Sequence, residues 1–144
     1  MALMKPFVRV LAFSLLVMLS GCMLQGVNKQ DLIGKYCAKL PDGAVEYLEL
    51  LPNGECIQEI VLKDKAPLIA HGTWRYSQER NYLSLMGTRI ALGPFGNQIN
   101  PNIEQVLSGH SGELSVSRSI SGNVTIGLSE YTHYEKMEPT EKKP

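Results

Sequence analysis

The side chains able to do acid–base, metal or nucleophilic chemistry are few in this chain and widely spaced. The histidines are His71, His110 and His133. None stands four residues from another or is flanked by Cys or a carboxylate in a metal-ligand pattern. His71 and His133 could meet only if a sheet closed on itself, so exposed or hydrogen-bonded histidines are expected. Gly109-His110-Ser111-Gly112 shares its Gly-x-Ser with the nucleophile elbow. That motif needs a second glycine where Glu113 stands, and a helix after it, so a hairpin turn is the expected reading. Glu46 with Glu49, and Glu55 with Glu59, are the carboxylate pairs that could share general acid–base work. The simpler expectation puts all four on the outer faces of strands. Asp31, Asp42 and Asp64 fall at expected turns or termini. There is no Gly-rich phosphate loop and no Cys-x-x-Cys. No catalytic, metal or cofactor residue is assigned, and a hydrolase-type enzyme is the third functional reading.

Aromatic residues offer binding chemistry instead. Trp74 and Tyr76 share one face of a strand if side chains alternate, and Tyr36 joins them through an internal repeat described below. One reading is a core in which each Trp and Tyr finds a hydrogen-bond partner. The other is an aromatic-lined cavity or rim. Residues 93–102 form the longest non-periodic segment. It carries Phe95, Asn97 and Ile99, and long loops in compact domains are often binding loops. This segment is the expected partner-binding loop. The alternative is a solvated crossover packed by its own Phe95.

The elements that must position these residues read as strands. Expected strands run over 34–40, 45–51, 55–62, 69–77, 80–85, 88–92, 113–120, 123–128 and 131–137. Residues 103–107 read as a strand or one helical turn. Asn53-Gly54 is a strong hairpin signal, and Pro41-Asp42-Gly43 and Gln78-Glu79 mark further turns. In the strand over 113–120, Leu114, Val116 and Ile120 oppose Ser115, Ser117 and Ser119, while Arg118 interrupts the apolar face. Outside the N-terminus no long stretch has a 3.6-residue apolar period. Short strands at regular spacing predict an all-β antiparallel meander, closing into an eight- or nine-stranded barrel over residues 32–137.

Gly34-Lys35-Tyr36 is followed by Glu46-Tyr47-Leu48-Glu49-Leu50. Gly72-Thr73-Trp74 is followed by Asn81-Tyr82-Leu83-Ser84-Leu85. With Asn53-Gly54, this pattern resembles the bacterial lipocalin-like, calycin-type small barrels, which often carry a Gly-x-Trp strand followed by a Leu-x-Leu strand. In true lipocalins Gly-x-Trp lies on the first strand. Here Tyr36 takes that place and Trp74 sits near the middle. The resemblance implies a binder of a small apolar ligand.

The N-terminus addresses the protein. Lys5 and Arg9 form a positive n-region, and Val10–Leu19 is a ten-residue h-region with only Ser14 polar. Ten residues are too few to cross a bilayer as a helix but suit a signal peptide. Leu19-Ser20-Gly21-Cys22 resembles the lipobox of bacterial lipoproteins. The resemblance implies removal of residues 1–21, a diacylglycerol on Cys22 and an acylated new amine. Several acyl chains anchor stably where one does not. Met23 lacks the Asp that retains family members at the inner membrane, so the expected location is the periplasmic side of the outer membrane. Residues 22–31 then form the lipidated N-terminus and tether, and residues 138–144 a disordered tail.

Lipidation leaves Cys37 and Cys56. An even pair in an oxidising compartment reads as a disulfide, and that bond is the expectation. A meander argues against it, because one strand would separate the two cysteines and the alternation puts them on opposite faces. The alternative is two buried thiols.

The composition bounds the rest. The chain has 144 residues, 44% hydrophobic and 19% charged, with 14 basic and 14 acidic side chains. Such a chain is neither wholly disordered nor a strong polyanion binder, and no nucleic-acid partner is expected. Removing Lys5 and Arg9 leaves 12 basic against 14 acidic side chains, a balance of 12 − 14 = −2. Attachment should therefore rest on lipid. Large inward residues (Leu48, Leu50, Leu83, Leu85, Val116, Ile126) look sufficient to fill a small barrel. They favour a non-enzymatic module that contacts an envelope protein over a binder of a small apolar ligand. Cys22→Ser should move the protein from the membrane to the soluble fraction; unchanged fractionation would reject the lipid anchor.

Overall fold

The computed structural model describes residues 26–93, 95–106, 109–128 and 132–139, with the backbone alone at 110 and 111. The expected signal segment and Cys22 lie outside these residues. One helical turn, α1 (Lys29–Leu32), precedes eight strands. They are β1 (Gly34–Lys39), β2 (Val45–Leu50), β3 (Glu55–Val61), β4 (Leu68–Ser77), β5 (Tyr82–Met86), β6 (His110–Arg118), β7 (Val124–Gly127) and β8 (His133–Lys136). Each pairs antiparallel with the next, and β8 returns to β1 to close the barrel. The all-β meander expected from the sequence is the observed fold.

Alternation builds the interior. β2 turns Glu46, Leu48 and Leu50 inward, and β3 turns Cys56, Gln58 and Ile60 inward. Leu48, Leu50, Leu83 and Ile126 are fully buried, each contributing about 1.5–3 kcal/mol relative to exposure. At the β2–β3 turn Asn53 Oδ1 accepts the Glu55 N–H at 3.0 Å, and Gly54 takes φ 85°. Gly72 meets a different demand. A Cβ there would lie 2.2 Å from the Met86 carbonyl oxygen, so the glycine of Gly72-Thr73-Trp74 permits close approach of β4 to the end of β5.

The two halves of the repeat pack at one end of the barrel but not in the same register. Tyr36 stands opposite Leu48, the first leucine of its pair, whereas Trp74 stands opposite Leu85, the second of its pair. A two-residue offset keeps the same face inward. Val27 and Leu32 plug this end against Tyr36, Trp74 and Tyr76. Tyr36 OH donates to the Leu32 carbonyl at 2.8 Å, Tyr76 OH to the Val27 carbonyl at 3.0 Å, and Trp74 Nε1 to the Leu51 carbonyl at 2.9 Å. Tyr36 and Trp74 are thus hydrogen-bonded core residues of the closed end, and Tyr76 packs against them half-buried. Arg118 turns inward here and pairs with Asp31, which accounts for a charge on an otherwise apolar face.

Several expectations need correction. Residues 88–92 form no barrel strand; only Leu92 makes a bridge, to Ile99. The expected turn at 109–112 is largely strand, because β6 begins at His110. Ile120 lies beyond β6 in the 119–123 turn and is fully exposed. Cys37 and Cys56 are free thiols, which corrects the expected disulfide. Cys37 pairs with Tyr47 and Cys56 with Leu50, so β2 lies between them. Cys37 also faces outward and Cys56 inward. Burial pushes the Cys56 thiol up to about 11, against a backbone hydrogen bond with Gly72 that lowers it. In a Cys22→Ser background, a thiol reagent should label the native protein once, at Cys37, and the unfolded protein twice. An unfolded protein that takes no label before reduction would restore the disulfide.

Candidate functional site

At the end opposite α1 the barrel holds polar groups in its interior. Ala38 stands opposite Glu46, and Ala70 opposite Gln58. These small inward residues leave room for two longer side chains that would otherwise be expelled. Gln58 is the diagonal neighbour of Glu46 across β2 and β3, since Glu46 pairs with Ile60 and Leu48 with Gln58. Long side chains bridge that diagonal.

Glu46 is completely buried. Its Oε1 accepts two hydrogen bonds, one from Gln58 Nε2 and one from Tyr134 OH, both at 2.5 Å. Its Oε2 is buried without a hydrogen-bond partner. Among the described residues no salt bridge reaches it. Burial pushes the Glu46 carboxyl up to about 7, more than the two hydrogen bonds pull it down. Tyr134 is held well above the usual phenol range, by burial first and by Glu46 beside it second. It therefore remains the proton donor of the pair.

Gln58 has a second task. Its Nε2 donates to the Arg89 carbonyl at 3.0 Å, and its Oε1 accepts the Arg89 N–H at 2.7 Å. The β5–β6 connection is thereby clamped across the barrel end. Further along, Gly93 N–H donates to the Gln98 carbonyl and Asn100 N–H to the Ala91 carbonyl, both at 2.9 Å. Ala91, Leu92 and Ile103 pack with Leu40, Ala44 and Ile60 in a second apolar cluster. The Arg89 guanidinium is turned to the carbonyls of Ile103 and Glu104.

Between this strap and the strands lies a cavity of about 520 Å³. Glu46, Gln58 and Tyr134 contribute its polar lining, with Thr88 and Arg89 from the strap. Leu85, Leu92, Leu114 and Leu128 supply apolar walls, and Phe95 contributes at the mouth. A groove of similar size, about 560 Å³, lies at the closed end over the 119–123 turn. Three of its charged residues engage one another: Asp31 pairs with Arg118, and Lys136 Nζ donates to the Asp31 carbonyl at 2.5 Å.

The residues singled out from the sequence are divided between the two ends. Phe95 is 78% exposed and Asn97 is exposed, whereas Ile99 is half-buried against the second apolar cluster. The three loop residues therefore do not form one apolar patch. Tyr36, Trp74 and Tyr76 line neither side of the cavity. His71 is exposed on β4, and His133, exposed on β8, lies 3.4 Å from Glu135. The barrel wall keeps these two histidines apart. Among the described residues no cluster of His, Cys, Asp and Glu could hold a metal. Glu46 is the residue missed, and its expected outer-face position is corrected. It shares parity with Leu48 and Leu50, so alternation carried the signal.

No protein-family model matches the chain, and neither does any curated protein.

The carboxyl makes stability pH-dependent. Its folded value of about 7 exceeds the ordinary 4.5. Below pH 4.5 the group is protonated in both states and imposes no penalty. Between 4.5 and 7 the unfolded chain ionises first, so stability falls as pH rises; above 7 the loss is constant. Glu46→Gln keeps an acceptor for Gln58 and Tyr134. Relative to the native protein it should gain stability through that window, reaching on the order of 3 kcal/mol at pH 8. Urea unfolding at pH 4, 6 and 8 measures this, and a difference that does not change with pH would reject it.

Proposed function

We propose that this protein is a lipid-anchored envelope lipoprotein, on the periplasmic side of the outer membrane, whose lipocalin-like barrel binds a small amphipathic molecule at its open end. One observation carries the binding reading: the cavity of about 520 Å³ joins apolar walls to a buried polar group. Small-molecule sites usually have a volume of about 300–1,000 Å³ and a few convergent polar groups among apolar ones. Leu48, Leu50, Leu83, Val116 and Ile126 pack away from the cavity, and Leu85 forms part of its wall, so these large inward residues do not exclude a ligand from it.

Binding is favoured over catalysis. A carboxyl near neutrality suits a general base, but its Oε2 is buried from solvent, and among the described residues no histidine, cysteine or second carboxylate lines the cavity. The contact with an envelope protein rests on the exposure of Phe95, and Phe95 also lines the cavity mouth. The lipobox supports the anchor. From Cys22 to Gly26 is four residues, a reach of at most about 14 Å. Val27 and Leu32 pack at the closed end, so a lipid on Cys22 would turn that end to the membrane and the mouth away from it.

N-phenyl-1-naphthylamine, a neutral apolar fluorophore, should brighten with the Cys22→Ser protein. Leu114→Trp, which fills the cavity from β6, should weaken its binding at least tenfold with an unchanged circular dichroism spectrum. Equal binding by both proteins, or none by either, would overturn the reading.

A further inference from the structure

Three hairpin turns meet at the closed end of the barrel, over 51–54, 78–81 and 119–123. Among their described residues, Ile120 is the large hydrophobic side chain that stands fully exposed. A single exposed apolar residue needs no explanation by itself. This one is held in place by a turn that bonds to itself. Ser119 N–H donates to the Asn123 carbonyl and Gly122 N–H to the Ser119 carbonyl, both at 2.9 Å. Ser119 Oγ lies 2.7 Å from Ser121 Oγ and accepts the Asn123 N–H at 3.1 Å. Gly122 takes φ 89°, which lets the chain double back, and its carbonyl accepts from Arg118 Nη1 at 3.2 Å. Ile120 is thus presented on a braced, hydroxyl-rich turn. Met137, also exposed, lines the groove beside that turn.

We infer that Ile120 inserts into the membrane leaflet that holds the acyl chains of Cys22, giving the barrel a second contact with the bilayer. This rests on the lipid-anchored reading above and adds a contact to it. Only four residues separate Cys22 from Gly26, a reach of at most about 14 Å. The next residue, Val27, is buried in the closed end. The anchor therefore holds that end close to the bilayer. The turn is fixed to the same segment, because Asp31 of α1 pairs with Arg118, the residue before the turn. Interfacial elements bury their apolar side chains about 5–10 Å into the boundary between headgroups and acyl chains. The Ile120 side chain suits the apolar side of that boundary, and the hydroxyls of Ser119 and Ser121 suit the headgroup side. The groove beside the turn carries charges of both signs, Arg118 and Lys136 with Asp31, Glu135 and Glu138. The contact accordingly rests on apolar burial and not on attraction to anionic lipid. A tether alone leaves a barrel free to tilt; a second contact fixes its axis and keeps the cavity mouth away from the membrane.

The test uses the mature lipoprotein in vesicles of phosphatidylethanolamine and phosphatidylglycerol. In a Cys37→Ser background, Ile120→Cys and, separately, Phe95→Cys carry a nitrobenzoxadiazole label; Cys56 is buried and stays unlabelled. The label at 120 should be at least threefold less accessible to iodide than the label at 95. Lipid with a doxyl group high on its acyl chain should quench the label at 120 and spare the label at 95. A second measurement needs no label. Amide exchange over 119–123 should be at least fivefold slower in the lipoprotein on vesicles than in the Cys22→Ser protein in solution. Ile120→Asp should remove that slowing while the lipoprotein still floats with the vesicles. Equal iodide access at 120 and 95, in a lipoprotein that floats with the vesicles, would overturn the insertion and leave the lipid anchor standing. Shielding from iodide without doxyl quenching would mean that a second copy of the chain covers Ile120, and would overturn it as well. A protein that does not float with the vesicles, with unchanged fractionation of Cys22→Ser, would remove both.

Discussion

The open end of this barrel depends on the side-chain amide of Gln58. Its nitrogen holds the Glu46 carboxylate and the Arg89 carbonyl, and its oxygen holds the Arg89 N–H. A buried amide needs nearly all of its hydrogen bonds satisfied, and a half-satisfied network is costly. Loss of this residue would free the strap over the cavity and remove a donor from Glu46 at once. The strap, the carboxylate and the cavity are therefore one unit.

The closed end follows different physics. It is apolar and aromatic, and its hydroxyl and indole groups are satisfied by backbone carbonyls of Val27, Leu32 and Leu51. Its charges lie at the periphery, where Asp31 bonds Arg118 and Lys136. Lys29 lies 5.2 Å from the centre of the Trp74 ring, within the range of a cation–π contact. One half of the barrel is packed for stability, and the other gives up packing for a buried acid and a space beside it. Functional sites often weaken local stability in this way.

Much of the architecture was legible. Asn53-Gly54 marked a true hairpin, and the spacing of apolar runs gave the meander and most strand limits. The same alternation that separated Cys37 from Cys56 also spoke against their bond, and geometry prevailed over the even cysteine count. Glu46 shows the opposite error. Its parity with Leu48 and Leu50 put it inside, yet a charged residue on a strand is usually solvated. The burial became intelligible only once Ala38, Ala70, Gln58 and Tyr134 were known to surround it, and those come from four other places in the chain. Thr88–Leu92 has strand composition, but Gln58 and the second apolar cluster hold it as a strap instead. Ile120 failed because the turn after Arg118 ends the alternation before reaching it.

The seam of the barrel has a consequence for how the molecule forms. Among the described residues β1 meets β8 through the pairs Tyr36 with Lys136 and Cys37 with Glu135, extended by a hydrogen bond from the Met137 N–H to the Lys35 carbonyl at 2.8 Å. These partners are about a hundred residues apart, and loop-closure entropy must be met before such a contact gives anything back. The hairpins can assemble in order as the chain emerges, but the cylinder cannot close until its last strand exists. Until then β1 has one unpaired edge and the aromatic end is open to solvent. Closure thus requires one long-range pairing, and a chain interrupted before β8 would expose an edge able to pair with other strands.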